Sequence, residues 1–214
     1  MGELRRLLAA VVASPALHAR FVNTLSRMEY IGVRKMLKAR HADNLDEEGL
    51  LHMIEEASHA MRLKRAAIQL NGGQQEGVRT YSEQDTLSGP AGERYMQGVD
   101  RGCEALLADC GLEGPARSDA NYLLSTTAIE IRAEAFYPMY EECLKAAGAP
   151  FSVKSILKDE LRHLAEMGES MSAIFPSTWS ELIGRAVEIE TECFEQWLRA
   201  MQTAVQTSHA NAGA

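Results

Sequence analysis

Apolar positions recur at three- and four-residue intervals along most of the chain, in blocks separated by polar, glycine-bearing or proline-bearing breaks. Each block reads as an amphipathic helix. Arg5-Arg6 followed by the apolar run Leu7 to Ala13 predicts a short helix rather than a leader sequence. Ser14-Pro15 then supplies an N-cap and a proline at the first helical position, opening a long helix to about Arg40. A turn over 41–45 precedes Asp46-Glu47-Glu48, whose negative charge suits a helix start, and this second long helix runs to Leu70 before Asn71-Gly72-Gly73. Residues 71–89 are polar and glycine-rich, a loop, and a further helix is expected over 92–110. A third long helix starts near Ser118 and ends before Gly148, with Pro138 predicting a kink. Ser152 caps a fourth, which ends at Phe175 before Pro176. Thr178-x-x-Glu181 has the form of a capping box for a last helix to about Ala204, with Leu182, Ile183, Phe194, Trp197, Leu198 and Met201 as its packing face. The small, polar residues from 206 to 214 read as a disordered tail. The expectation is one all-α domain over residues 1–205.

Composition sharpens this only in places. Helix formers dominate, and runs of β-branched residues are nearly absent. The net charge of −8 disfavours a general nucleic-acid partner, and the basic group Arg62, Lys64 and Arg65 reads as a solvated helix face. No stretch approaches the roughly 20 apolar residues that span a bilayer. The four cysteines (Cys103, Cys110, Cys143 and Cys193) form no C-x-x-C pair, which excludes a zinc ribbon or rubredoxin knuckle on local spacing and points to reduced thiols in a cytoplasmic protein.

The chemistry lies in two short words, Glu56-Ala57-Ser58-His59 and Glu160-Leu161-Arg162-His163. Each stands in a helical block, and each has a lone glutamate in the block before it: Glu29, 27 residues before Glu56, and Glu130, 30 residues before Glu160. Residues three apart on a helix share a face, so each word offers one metal site a carboxylate and an imidazole. Apolar neighbours (Met53, Ile54, Met61 and Leu63; Ile156, Leu157, Leu164 and Met167) place both words toward a core. Four carboxylates buried together repel one another, and two divalent ions neutralise them. Mixed oxygen and nitrogen donors suit iron, with manganese as the alternative, better than structural zinc.

In motif order from about Ser14 to Phe175 the chain resembles the ferritin-like di-iron carboxylate superfamily. The resemblance implies a four-helix bundle with a long crossover between the second and third helices and an added C-terminal helix. It makes Glu29 and Glu130 ligands of single ions, Glu56 and Glu160 bridging carboxylates, and His59 and His163 terminal ligands. Glu134, one turn after Glu130, is the rival ligand on the third helix. His52, one turn before Glu56, can face the same interior; a seventh ligand is open to it, but a supporting or surface role is the expectation. Tyr30, Tyr122 and Tyr137 are expected to pack or to hydrogen-bond carboxylates, and Thr126 lies one turn before Glu130. Gly32 and Ala133 are small residues beside the site that leave room for a substrate or for close packing.

Within the superfamily, the missing rubredoxin cysteines disfavour a self-contained rubrerythrin. The 74 residues between Glu56 and Glu130 and the long last helix exceed a minimal storage-cage subunit. The leading expectation is therefore an oxidoreductase, an oxygenase or oxidase. It would use two iron ions and O₂ or peroxide to oxidise a small organic substrate, with an external electron donor and no membrane partner; a homodimer is compatible with this. The alternative is a ferroxidase or a peroxide-scavenging, rubrerythrin- or bacterioferritin-like iron-handling protein. A third class is a helical interaction module with no metal.

Overall fold

The computed structural model describes residues 2–39 and 45–212. Among these there are seven helices and no strand: α1 (Gly2–Val12), α2 (Pro15–Ala39), α3 (Glu47–Leu70), α4 (Gly89–Leu106), α5 (Gly114–Ala146), α6 (Lys154–Ile174) and α7 (Trp179–Ala212). No helix among the described residues is long and apolar enough to cross a membrane. The expected turn over 41–45 falls almost wholly outside the described residues.

Caps set most boundaries as read. Asp46 accepts the amide of Gly49 at 2.8 Å and starts α3, and Asn71 closes it. Trp179 opens α7 directly after Thr178, whose carbonyl accepts the Leu182 amide at 2.9 Å. Several readings differ. The fourth helix has Val153 at its N-cap; Ser152, one residue earlier, donates its hydroxyl to Glu141 Oε2 at 2.9 Å and accepts the Lys154 amide at 3.3 Å. The third starts at Gly114, using Pro115 in its first turn. α4 covers Gly89–Leu106 where 92–110 was expected; α5 is unbroken at Pro138, and the carbonyl that loses its donor belongs to the exposed Glu134, where water can serve it. The last helix passes Ala204 and reaches Ala212 instead of fraying at 206.

Three pairings organise the packing: α2 against α3, α5 against α6, and α4 against α7. α1 lays Leu4, Leu7, Leu8, Val11 and Val12 into the core and contacts α2, α5 and α7. On α7, Leu182, Phe194, Trp197 and Met201 are buried, and Ile183 and Leu198 pack beside them. Residues 71–88 are irregular but fastened. Asn23 donates to the carbonyls of Thr80 and Asp85 at 2.8 and 2.7 Å, and Thr24 and Leu87 bond reciprocally at 2.9 Å. This segment carries the chain from the end of α3 to α4, so that α5 and α6 can close on α2 and α3.

The apolar surroundings of the first Glu-x-x-His word are only half as expected. Leu63 is buried and Met53 packs at the edge of the core, but Ile54 and Met61 are exposed. They lie on the outer side of α3, away from Glu56 and His59.

Candidate metal centre

Four helices converge on one charged interior. α2 supplies Glu29, α3 supplies Glu56 and His59, α5 supplies Glu130, and α6 supplies Glu160 and His163. Glu56, His59, Glu130, Glu160 and His163 are buried, and Glu29 is half-buried. Donor atoms fall into two groups, each within 4.8 Å: Glu29, Glu56, His59 and Glu160 in one, and His52, Glu56, Glu130 and His163 in the other. Glu56 belongs to both, as a carboxylate between two ions must. Glu134 is exposed and joins neither group; Glu130 is the carboxylate that α5 turns inward.

The contacts among these groups are close but poorly aimed. His59 Nδ1 lies 3.1 Å from Glu160 Oε1, and His163 Nδ1 lies 3.6 Å from Glu56 Oε1. Glu56 Oε1, His59 Nδ1 and His52 Nε2 are nonetheless buried without a hydrogen-bond partner. Buried polar atoms are nearly always satisfied, and an orphan costs about 1–3 kcal/mol. Donor atoms that crowd at 3–4 Å without pointing at one another are what ligands around a common cation look like. The donor set therefore fits divalent metal ions.

Electrostatics say the same. Burial pushes Glu29 and Glu130 well above the usual carboxylate range, and the neighbouring Glu56 and Glu160 push them further. Glu56 is raised to about 7, again by burial and then by Glu160. Burial would raise Glu160 too, but the imidazoles of His163 and His59 and the carboxyl of Glu130 beside it outweigh that and hold this carboxyl well below its ordinary value. Burial would lower His59, but Glu160, Glu29 and Asp159 overcome it and bring the imidazole up to about 10; His163 is raised in the same way by Glu160 and Glu55. Without metal, the cluster keeps itself together by holding protons.

The outward face of each imidazole is also fixed. His59 Nε2 is 3.0 Å from Asp159 Oδ2, and His163 Nε2 is 2.9 Å from Glu55 Oε2. Asp159 and Glu55 are the residues just before Glu160 and Glu56, so each word's leading carboxylate holds the other word's histidine. Such carboxylate–imidazole pairs set the tautomer and turn Nδ1 toward the cluster, where that of His163 lies 3.3 Å from Glu160 Oε2. The sequence reading missed both. The signal was present as an acidic residue preceding each Glu-x-x-His.

Tyr137 donates to Glu29 Oε1 at 2.6 Å, and the Tyr122 hydroxyl is 3.2 Å from His52 Nδ1. Tyr30 instead lies outside, stacked on Tyr81. A cavity of about 270 Å³ opens onto one side of the cluster, bordered by Glu29, Glu56, Glu130 and Glu160. Its walls come from α2, α4, α5 and α7 and include Gly32, Thr126, Ala133, Phe136, Phe194 and Trp197; none of the three histidines lines it. A Cβ at Gly32 would stand 3.1 Å from Glu56 Oε2, so glycine keeps the boundary between cavity and cluster open. All four cysteines are free thiols. Comparison with family models, with curated proteins and with solved structures finds no match to the chain.

Proposed function

We propose that the chain is a ferritin-like di-metal carboxylate protein that uses O₂ or peroxide to oxidise a small, largely apolar organic molecule held beside two iron ions, with manganese as the alternative metal. Glu29, Glu56, His59, Glu130, Glu160 and His163 would hold the ions. Four carboxylates would balance two divalent charges. The bound ions supply the redox and oxygen chemistry, as metals do in such sites. The chain's own residues do the rest. Asp159 and Glu55 orient the imidazoles, Tyr137 steadies Glu29, and Phe136, Phe194 and Trp197 give the cavity apolar surface for the organic molecule. An electron donor from outside the chain belongs to this reading.

The observation that carries it is the cavity of about 270 Å³ that reaches the carboxylate side of the cluster. Its size suits a small ligand. An iron-handling protein has no use for an aromatic-walled chamber at this position, and an interaction module has no use for the cluster. The reading is tested by loading the protein with Fe(II) without oxygen, admitting air, and following iron content and optical spectra. Retention of two irons per chain with no mineral growth is expected. Ala133→Phe, which fills the cavity, should leave iron content unchanged and remove binding of small apolar ligands. Iron uptake far beyond two per chain would overturn the oxygenase reading in favour of iron storage.

A further inference from the structure

The paired Glu-x-x-His words make the cluster nearly two-fold, but α3 and α6 differ one turn upstream. Four residues before Glu56 stands His52; four residues before Glu160 stands the buried, apolar Ile156. Positions i−4, i and i+3 share a helix face. α3 therefore turns three donors toward the cluster where α6 turns two.

His52 is 7% exposed. Its Nε2 comes within 3.4 Å of Glu56 Oε1 yet has no hydrogen-bond partner. Its other nitrogen, Nδ1, is already engaged by the Tyr122 hydroxyl at 3.2 Å. The ring centroid is 3.8 Å from that of His163, and donor atoms of His52, Glu56, Glu130 and His163 all lie within 4.8 Å of one another. Metal–nitrogen and metal–oxygen bonds of about 2.0–2.2 Å span up to about 4.4 Å across one ion, so a small inward adjustment closes this group on a cation. A histidine that only fills space satisfies the nitrogen it buries, as His18 does by placing Nε2 2.7 Å from the Tyr140 hydroxyl. His52 leaves its inward nitrogen open.

We infer that His52 is a third histidine ligand, binding through Nε2 to the ion held by Glu130 and His163. The inference rests on the di-metal reading above and extends it. One ion then sits in a nitrogen-rich set (His52, His163, Glu56 and Glu130) and the other in an oxygen-rich set (Glu29, Glu56, Glu160 and His59). Tyr122 is a positioning residue: its hydroxyl accepts Nδ1–H and fixes the tautomer that leaves Nε2 open. The two ions are consequently unequal. Borderline ions favour the nitrogen-rich set, and manganese favours the oxygen-rich one.

The test uses the full chain, carrying ring-¹⁵N histidine, titrated with Co(II) alone and followed by proton NMR. Each metal-bound neutral imidazole retains one N–H, which appears as a strongly shifted signal that vanishes in D₂O. Three such signals are expected in the unsubstituted protein. His52→Phe should lose one and weaken one of the two Co(II) ions by about tenfold or more, leaving the other unchanged. Tyr122→Phe should keep three and move one. Two shifted signals in the unsubstituted protein, unaltered in His52→Phe, would overturn the third ligand while leaving the di-metal centre standing. No shifted signal and no bound Co(II) would overturn both. The count in the unsubstituted protein decides the matter even if His52→Phe fails to fold.

Discussion

Two buried charged groups border the same cavity, and they are built in opposite ways. On α7, Glu190 is 1% exposed and fully answered: Arg132 donates from Nη2 at 2.7 Å and from Nε at 3.0 Å, and Tyr95 donates at 2.8 Å. The guanidinium also lies 4.3 Å over the Phe194 ring. Its charge is balanced within the chain, so it joins α4, α5 and α7 and asks for nothing else. The cluster between α2, α3, α5 and α6 has four carboxylates and inward atoms without partners. Its charge is balanced only by protons or by something added. Burial alone does not mark a site; three unpartnered atoms converging on one carboxylate cluster do.

The largest expected effect falls on the balanced group. Glu190→Ala strands Arg132 and should cost about 3–5 kcal/mol in urea unfolding. A cost under about 1 kcal/mol would erase the contrast. Next, divalent metal at about 100 times its dissociation constant should stabilise the protein by about 2.7 kcal/mol. Glu56→Ala, which removes the shared carboxylate, should abolish that gain while leaving the metal-free protein as stable as before or more so. Calorimetric melting with and without metal reads both.

The third prediction is a pH dependence of opposite sign in the two metal states. Glu29, Glu56 and Glu130 bind protons more tightly folded than unfolded, so stability falls as pH rises from about 4.5, for Glu56 through about 7. His59 and His163 are also raised; their contribution is complete below about 6.5 and is lost as pH climbs, for His59 through about 10. Glu160 runs the other way, adding stability above the usual carboxylate range that is lost only in strong acid. The metal-free protein should therefore melt at progressively lower temperature from pH 5 to pH 10. The metal-loaded protein should gain over the lower part of that range, because ligands must shed protons to bind. Parallel curves would contradict the assignment of these groups.

The smallest effect is expected at Gly32. Gly32→Ala should stabilise the metal-free helix by up to about 1 kcal/mol. Its methyl group, 3.1 Å from Glu56 Oε2, should at the same time weaken metal binding. Unchanged metal affinity would mean that Glu56 moves freely and is not held between two ions.

Most helices were legible because their ends are chemically local: Asp46 caps α3, and Pro15 sits in the first turn of α2. The shared inward face of each Glu-x-x-His pair was legible because spacing along one helix fixes it. What depends on how two helices are rotated against each other was not. Asp159 reaches His59 and Glu55 reaches His163 across the α3–α6 contact, which no spacing within one word encodes. The same rotation turns His52 inward, one of the places open to it, and Ile54 outward, contrary to its reading. Ser152 stands one residue before the N-cap of α6, where Glu141, eleven residues earlier, accepts both its hydroxyl and the Val153 amide. Past Ala204 the small, polar composition hid a helix because α7 still has the buried Val205 to pack.

The central claim is that side chains from α2, α3, α5 and α6 form one centre for two ions. Anaerobic equilibrium dialysis against Fe(II), with metal analysis of the unsubstituted chain and of Glu160→Ala, tests it most directly. Two tightly held irons per chain, reduced to one or none by the substitution with helicity intact, is the predicted result. No tightly held iron, or an iron content that Glu160→Ala leaves unchanged, would contradict it.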